Sequence, residues 1–333
     1  MAKLSFQPDE SKIANRQSQM KIIIWLTLCL IWGTTWIFIK IGLADLPPIT
    51  FAAARFVFAL IVLAFIIRLQ KIPLPQTARD WKLLALTGVL QFSINYSLVF
   101  WSEQYISSGL AAVLQAMITV FGLVLAWIHL PNERITRIKI AAILLGIGGV
   151  AVIFVEQLQI NSWLAFAGCI AIVVGAYAAA HGSILVKAYG GNLHPAMLVF
   201  GQMLFGILPI IIYSLAVEGN PLKLNWTWRA IVSVAYLTVF GTVAAFWLYY
   251  WLLSKIESTK AMMISLVTPL IAVIVGWIFL GEKLPAQTIF GGFLILASIG
   301  LIVFRKKRLV VENTEEFAEL NSRLKLVEEK ESV

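Results

Sequence analysis

The feature that constrains this chain most is the recurrence of long apolar runs separated by short polar breaks. A helix needs about 20 mostly apolar residues to cross the hydrocarbon core of a bilayer. Charged residues make up only 13% of the chain, against about 25% in soluble domains. The stretches that fit are 22–42, 48–68, 81–102, 107–129, 137–155, 162–188, 195–217, 227–253, 258–280 and 286–304. We therefore predict an all-α integral membrane protein with ten transmembrane helices.

The distribution of Lys and Arg predicts the orientation of these helices, because basic residues concentrate in cytoplasmic loops. With ten spans both termini lie on one side, which then holds Lys3, Lys12, Arg16, Lys21, Arg68, Lys71, Arg79, Lys82, Arg134, Arg137, Lys139, Arg305, Lys306, Lys307 and Arg308. The opposite loops hold Lys40, Lys223, Arg229 and Lys283. The bias is strong in the first half of the chain and weak in the second. We expect a plasma-membrane protein (inner membrane in a bacterium) with both termini cytoplasmic, and no nucleic-acid partner.

The two halves of the chain resemble each other. Lys40 precedes Pro48 and Arg55 at the spacings at which Lys187 precedes Pro195 and Gln202, and the stretch 105–127 aligns with 255–277. Because each half has an odd number of spans, the second copy is inserted upside down, as in many secondary transporters. The predicted organisation is a cytoplasmic tail at 1–21, five-helix repeats at 22–155 and 162–304 around a central cavity, and a charged cytoplasmic tail at 305–333.

Two stretches carry a family resemblance, "WGTTWIFIKIGLADLPPITFAAARFVFALIVL" and "MMISLVTPLIAVIVGWIFLGEKL". They resemble the paired EamA domains of the drug/metabolite transporter superfamily. In that family the first helix has a W-G-x-x-[FW] motif, and the second repeat has a motif that reads here as Pro269, Ala272, Leu280 and Glu282. Thr119 replaces the proline in the first half. The resemblance, over roughly residues 22 to 304, implies ten helices, a cavity between the halves, and transport of small metabolites, most often amino acids and usually outward.

Polar and aromatic side chains within the apolar runs are the candidates for lining this cavity. Polar groups are costly where they face hydrocarbon, and binding pockets combine apolar walls with a few hydrogen-bonding groups. For every candidate, packing between helices is the alternative, and a lone histidine is as readily a hydrogen-bonded packing residue. The predicted cavity residues are Trp32, Thr35, Trp36, Gln91, Asn95, Tyr96, Gln115, Thr119, Tyr177, His181, Tyr236, Trp247, Tyr250 and Thr268.

Four further residues have predicted structural or charge roles. Arg55 lies about 10 Å inside the second span, where a cation needs a partner. The candidate partners are Glu103, an anionic group of the substrate, or helix carbonyls and water. Lys40 lies near the outer end of the first span, where its long side chain can also reach the interface. Pro269 is expected to break the ninth helix.

The acidic residues favour some transport classes over others. Asp45, Glu103, Glu156, Glu218 and Glu257 lie at span ends, which disfavours proton-coupled exchange of lipophilic cations and favours neutral or zwitterionic cargo.

Hydrolase, metalloprotease and nucleotide-binding motifs are missing from the sequence, so we expect neither an enzyme nor a cofactor or metal site. The leading hypothesis is a secondary transporter that exports amino acids or related compounds by alternating access. Sugar or nutrient uptake, drug efflux, and a receptor or scaffold are the alternatives. The expected partners are a small-molecule substrate and the lipid bilayer, with a homodimer left open.

Overall fold

A computed structural model describes residues 10–102, 105–106, 108–155, 162–280 and 286–303. Every long element in those ranges is a helix. The helices are α1 Glu10–Leu43, α2 Pro48–Leu69, α3 Ala78–Ser102, α4 Ser108–Gln115, α5 Ile118–His129, α6 Arg137–Ile153, α7 Trp163–Tyr189, α8 Pro195–Glu218, α9 Trp228–Lys255, α10 Ser258–Met262, α11 Ile264–Leu280 and α12 Ala286–Val303. A short 3-10 turn, Pro221–Lys223, lies between α8 and α9.

Most of these helices have the length and composition of membrane spans. Seven segments of the described ranges are long and apolar enough, namely Arg16–Leu43, Pro48–Leu69, Ala78–Ser102, Trp163–Tyr189, Pro195–Glu218, Trp228–Lys255 and Ser258–Phe279. Val113–His129 and Ala286–Ile302 are shorter apolar helices. Large apolar side chains such as Ile61, Phe65 and Phe293 are exposed along them, as lipid-facing positions require. The chain is an all-helical membrane protein in the part described, and the count of ten spans remains a prediction.

Helix starts follow local sequence signals that recur in the two halves. Thr77 accepts a hydrogen bond from the Asp80 amide at 3.1 Å at the start of α3. Thr227, 150 residues later, accepts one from the Ala230 amide at 3.2 Å at the start of α9. Such threonine caps satisfy amides that have no partner within the helix. Each of these two helices then contains a π-helical segment, Val89–Asn95 in α3 and Val239–Ala244 in α9.

Packing is largely between the first and second halves of the chain. α1 packs against α9 and α11, α3 against α7 and α8, α5 against α7, and α6 against α12. These pairs are mirrored: α1 with α11 corresponds to α7 with α5, and α3 with α8 corresponds to α9 with α2. The core therefore lies where the halves interleave, which is also where a central cavity was predicted.

Small residues let helices approach closely at two of these contacts. A Cβ added to Gly149 of α6 would lie 2.7 Å from the Gly291 carbonyl oxygen of α12. The Gly33 of the "WGTTW" stretch faces α11, where an added Cβ would lie 2.3 Å from Ile271 Cγ2. Small residues at helix interfaces are typical of membrane bundles, which gain stability mainly from close packing.

α1 contains the predicted span 22–42 and extends before it, beginning at Glu10. One sequence expectation about helix geometry was wrong. Pro269 lies inside α11 instead of breaking it, and the interruption falls at Met263, between α10 and α11. Membrane helices tolerate proline because neighbouring groups satisfy the freed backbone carbonyl. Here the Thr268 hydroxyl donates to the Ser265 carbonyl, four residues before the proline, at 3.4 Å. The terminal tails at 1–9 and 304–333 lie outside the described residues.

Candidate functional site

A cavity of about 220 Å³ lies between the two halves of the chain. Its walls come from α1, α2, α3, α5, α7, α9 and α11, with the short helices α4 and α10. Of the predicted residues it gathers Trp32, Thr35, Arg55, Gln91, Asn95, Tyr96, Gln115 and Thr268. The other lining residues are Ile39, Val99, Phe100, Ile118, Ala179, Ser183, Phe246, Tyr249, Ala261, Met262, Ile264 and Ser265.

The two π-helical segments place polar side chains at this cavity. A π turn rotates the residues that follow it relative to an α-helix, and such turns are frequent at functional sites. The segment in α3 holds Gln91 and Asn95, both buried and both in the cavity wall. The segment in α9 holds Thr242, which contacts the guanidinium group of Arg55.

Arg55 is the buried cation of the cavity wall, with 4% of its surface exposed. Its Nε and Nη2 atoms donate to Thr242 Oγ1 at 3.3 and 3.2 Å. The guanidinium carbon lies 4.9 Å from the Phe56 ring centre and 5.7 Å from that of Tyr96. Within the described ranges no carboxylate forms a salt bridge with Arg55. The described partners of this charge are therefore neutral: the hydroxyls of Thr242 and Tyr96 and the rings of Phe56 and Tyr96.

Two amides stand next to each other in the cavity wall. Gln115 Nε2 donates to Asn95 Oδ1 at 3.1 Å, which fixes the orientation of both side chains. Gln115 Oε1 is buried and has no hydrogen-bond partner among the described residues. A buried acceptor without a partner costs about 1–3 kcal/mol. A ligand that donates a hydrogen bond here would remove that cost.

Three aromatic side chains in the cavity wall, Trp32, Phe246 and Tyr249, pack against one another. The ring centres of Phe246 and Tyr249 lie 5.6 and 5.4 Å from that of Trp32. Trp32 Nε1 donates to the Gly241 carbonyl at 3.3 Å, and Thr35 donates to the Trp32 carbonyl at 2.7 Å. The first tryptophan of "WGTTW" and its second threonine thus belong to the cavity wall.

Six of the predicted cavity residues lie away from this cavity. Thr119 is buried and donates to the Ala116 carbonyl at 2.8 Å. Tyr250 is buried and donates to Gln202 at 2.6 Å, while Trp247 packs edge-on against His194. The remaining three make ring contacts elsewhere: Tyr177 with Phe121 and His181, His181 with His129, and Tyr236 with Phe38.

The structure places neighbours of these residues at the cavity in their stead. In α9, Phe246 and Tyr249 line it where Trp247 and Tyr250 were predicted. In α7, Ala179 and Ser183 line it where Tyr177 and His181 were predicted. Phe246 and Tyr249 contact Trp32 from one face of α9 because they are three residues apart. Trp247 and Tyr250 have the same spacing, so the sequence contained no signal that separated the two pairs.

Three of the predicted residues lie outside what the structure describes. The side chains of Trp36 and Lys40 and the whole of Glu103 belong to this group. The Arg55–Glu103 pair therefore stays a prediction. Among the described residues, no three His, Cys, Asp or Glu side chains come together as a metal site.

Comparison with known proteins identifies the family. The model of the EamA-like transporter family matches residues 19–155 and again residues 166–304. The chain belongs to the EamA-like transporter family. This EamA-like protein is 30% identical over 291 residues to an uncharacterized transporter of Archaeoglobus fulgidus, covering 85% of this chain and 99% of the relative. It is 27% identical over 289 residues to a probable amino-acid metabolite efflux pump of Salmonella typhimurium, covering 84% and 93%.

A solved crystal structure has the same fold. It superposes on this EamA-like protein with a TM-score of 0.76 at 14% identity, covering 88% of this chain and 99% of the other. The family match and the transporter relatives establish a multi-pass membrane transporter. These relatives are named as transporters or a pump, in keeping with the expectation that the chain is not an enzyme.

Proposed function

We propose that this EamA-like transporter is a secondary transporter that exports amino acids or related zwitterionic compounds by alternating access. The observation that carries the proposal is Arg55, a cation in the cavity wall with neutral described partners. A buried charge without a counter-ion is strongly unfavourable. A substrate carboxylate would supply that counter-ion and could accept two parallel hydrogen bonds from the guanidinium group.

Other residues of the cavity wall can bind the ammonium group and the side chain of an amino acid. The free acceptor Gln115 Oε1 can take a hydrogen bond from a substrate ammonium group. The faces of Trp32, Phe246 and Tyr249 can attract the same cation or pack against an apolar side chain. The volume of about 220 Å³ is below the range of about 300–1,000 Å³ for pockets that hold drug-sized ligands. Size therefore favours a small metabolite over a drug.

The proposed mechanism depends on two inverted five-helix repeats, at 22–155 and 162–304, with both termini cytoplasmic. Three observations support the repeat: the family model matches twice, the helix contacts are mirrored, and the threonine caps and π segments recur in α3 and α9. Two alike halves can exchange conformations and so open one end of the cavity and then the other.

Counterflow into proteoliposomes tests the proposal. Proteoliposomes that contain the purified protein are loaded with an unlabelled amino acid. Entry of the labelled amino acid from outside is then compared with entry of the corresponding labelled, decarboxylated amine. We expect saturable exchange of the amino acid and little exchange of the amine, because the amine lacks the group that pairs with Arg55. Transport of a sugar or a cationic dye with no amino acid exchanged would refute the proposal.

Variants separate the two possible partners of Arg55. Arg55→Gln should raise the KM for the amino acid about tenfold or more, and Arg55→Lys should retain part of the affinity, since one charge–charge contact survives. Glu103→Gln is the matched control. If Glu103→Gln costs as much activity and folded protein as Arg55→Gln, the arginine serves an internal ion pair and the carboxylate assignment fails.

A further inference from the structure

A second polar cluster lies at one end of the molecule and is separate from the cavity. Glu133, in the loop between α5 and α6, accepts hydrogen bonds from the Ser258 amide at 2.8 and 3.0 Å and from the Ser258 hydroxyl at 2.5 Å. Lys187 of α7 lies 2.5 Å from Glu133 Oε1 and also donates to the Ile256 carbonyl. Glu133 and Ser258 are 6% and 0% exposed, so this cluster is shielded from water.

This cluster joins the two halves of the chain. Glu133 belongs to the first matched stretch of the family, whereas Lys187, Ile256 and Ser258 belong to the second. Every described partner of the Glu133 carboxylate therefore comes from the opposite half. The loops that contain Glu133 and Ile256 lie at the end for which the positive-inside bias predicts a cytoplasmic position.

The cluster lies directly beneath the cavity. Ser258 begins α10, and one helical turn later Ala261 and Met262 form part of the cavity wall. The same turn is held from two other sides. Trp25 Nε1 of α1 donates to the Lys260 carbonyl at 2.9 Å. The Met262 sulfur packs against Gly122 of α5, where an added Cβ would lie 2.0 Å from it.

We propose that Glu133, Lys187 and Ser258 form a latch that closes the cavity at this end, and that its release is the step that opens the cavity there. The proposal rests on alternating access as proposed above, although not on the identity of the substrate. In the proposed open state, a path from the cavity to this end passes between α5 with its following loop and α10. That path is blocked while the Glu133 carboxylate binds Ser258 and Lys187 together.

Burial makes this cluster an all-or-none contact. A charged group inside a protein is tolerated while its partners are in place and becomes strongly unfavourable when one of them is removed. In the open state, water entering the path would hydrate both Glu133 and Lys187. The two charges therefore stabilise a closed, dry arrangement and an open, wet one, and disfavour intermediates.

Cysteine labelling tests the latch without any substrate. Ser265→Cys places a thiol in the cavity wall, and exposed Asn132→Cys shows which face of the vesicle carries the latch. A membrane-impermeant maleimide is added from that face. The native Cys29 and Cys169 are buried, and the chain without Ser265→Cys gives the background. We expect slow labelling of Ser265→Cys alone and about tenfold faster labelling when Glu133→Gln or Lys187→Gln is added, because either change weakens the closed state. A tenfold change corresponds to about 1.4 kcal/mol.

Glu257→Gln is the matched control. Glu257 is next to Ser258 and pairs with Lys139 at 3.2 Å, yet its side chain is 40% exposed. Water reaches the Glu257 side of this pair, and Lys139, whose side chain is 10% exposed, keeps its hydrogen bond to the Arg134 carbonyl at 3.2 Å, so labelling should rise no more than about twofold. Equal acceleration by Glu257→Gln and Glu133→Gln would overturn the proposal, as would unchanged labelling in both latch variants.

Ser258→Ala covers the case in which Glu133→Gln does not fold. This variant keeps the ion pair and the backbone hydrogen bonds, and loses only the hydroxyl contact with Glu133. We expect labelling about threefold faster than in the parent, and an unchanged rate would refute the latch. Failure of amino acid counterflow together with latch-dependent labelling would reject the substrate and retain the latch.

Discussion

The packing of α6 against α12 makes a quantitative prediction about Gly149. An alanine at this position would place its Cβ 2.7 Å from the Gly291 carbonyl oxygen and 3.1 Å from the Ile295 amide nitrogen. Both are backbone atoms, so no side chain can rotate away, and α6 and α12 must separate by about 0.7 Å to restore ordinary contact at about 3.4 Å. Overpacking of this kind costs about 1–3 kcal/mol.

The neighbouring Gly148 is the matched control, because an added Cβ there meets nothing within 4 Å. Both Gly→Ala changes carry the same gain in helix propensity, so their difference isolates the clash. In a thermal unfolding assay in detergent, Gly149→Ala should melt several degrees below Gly148→Ala, at roughly 2–4 °C per kcal/mol. Equal melting temperatures would show that α6 and α12 are not in this close contact.

Two further predictions concern buried polar groups. Gln202→Leu should destabilise the protein by about 1–3 kcal/mol in the same assay, because the Tyr250 hydroxyl loses its acceptor and Gln202 no longer donates to Thr87 at 2.8 Å; adding Tyr250→Phe should recover part of the loss. Burial acts to raise the pKa of Glu133, but the hydrogen bonds from Lys187 and Ser258 outweigh it and hold that pKa below its ordinary value. The stabilisation by Glu133 is therefore complete above the ordinary glutamate pKa of about 4.3, and is lost as the pH falls through the lower folded-state pKa. The melting difference between parent and Glu133→Gln should be constant from pH 8 to about 5 and shrink at lower pH, and a difference that grows in acid would contradict this assignment.

The membrane made much of the fold predictable from sequence. Each span must satisfy its own backbone hydrogen bonds and present apolar side chains to lipid, so the segments stand out in the sequence. The caps and prolines at helix starts are local signals of the same kind, as at Thr77 and Pro48. The π segments had no such signal, since Val89–Asn95 contains nothing that distinguishes it from an α-helix.

The candidate site was harder to predict because both sides of a membrane helix are apolar. In a soluble protein the polar face of a helix reveals which side is buried, whereas lipid is as apolar as the core. Residue type therefore pointed to Trp247 and Tyr250, while the cavity is lined by Phe246 and Tyr249, one position earlier on the same helix. Gln91 and Asn95 were predictable as cavity residues because amides are too polar to face lipid.

The proposed pairing of a substrate carboxylate with Arg55 is tested most directly by measuring the distance between the two groups. Solid-state NMR on membranes containing arginine-¹⁵N protein and a carboxyl-¹³C amino acid reports the separation of the two nuclei. We expect a dipolar coupling that corresponds to about 4 Å, as for a paired guanidinium and carboxylate, and its loss in Arg55→Lys. A bound amino acid with no such coupling, or a coupling unchanged in Arg55→Lys, would contradict it.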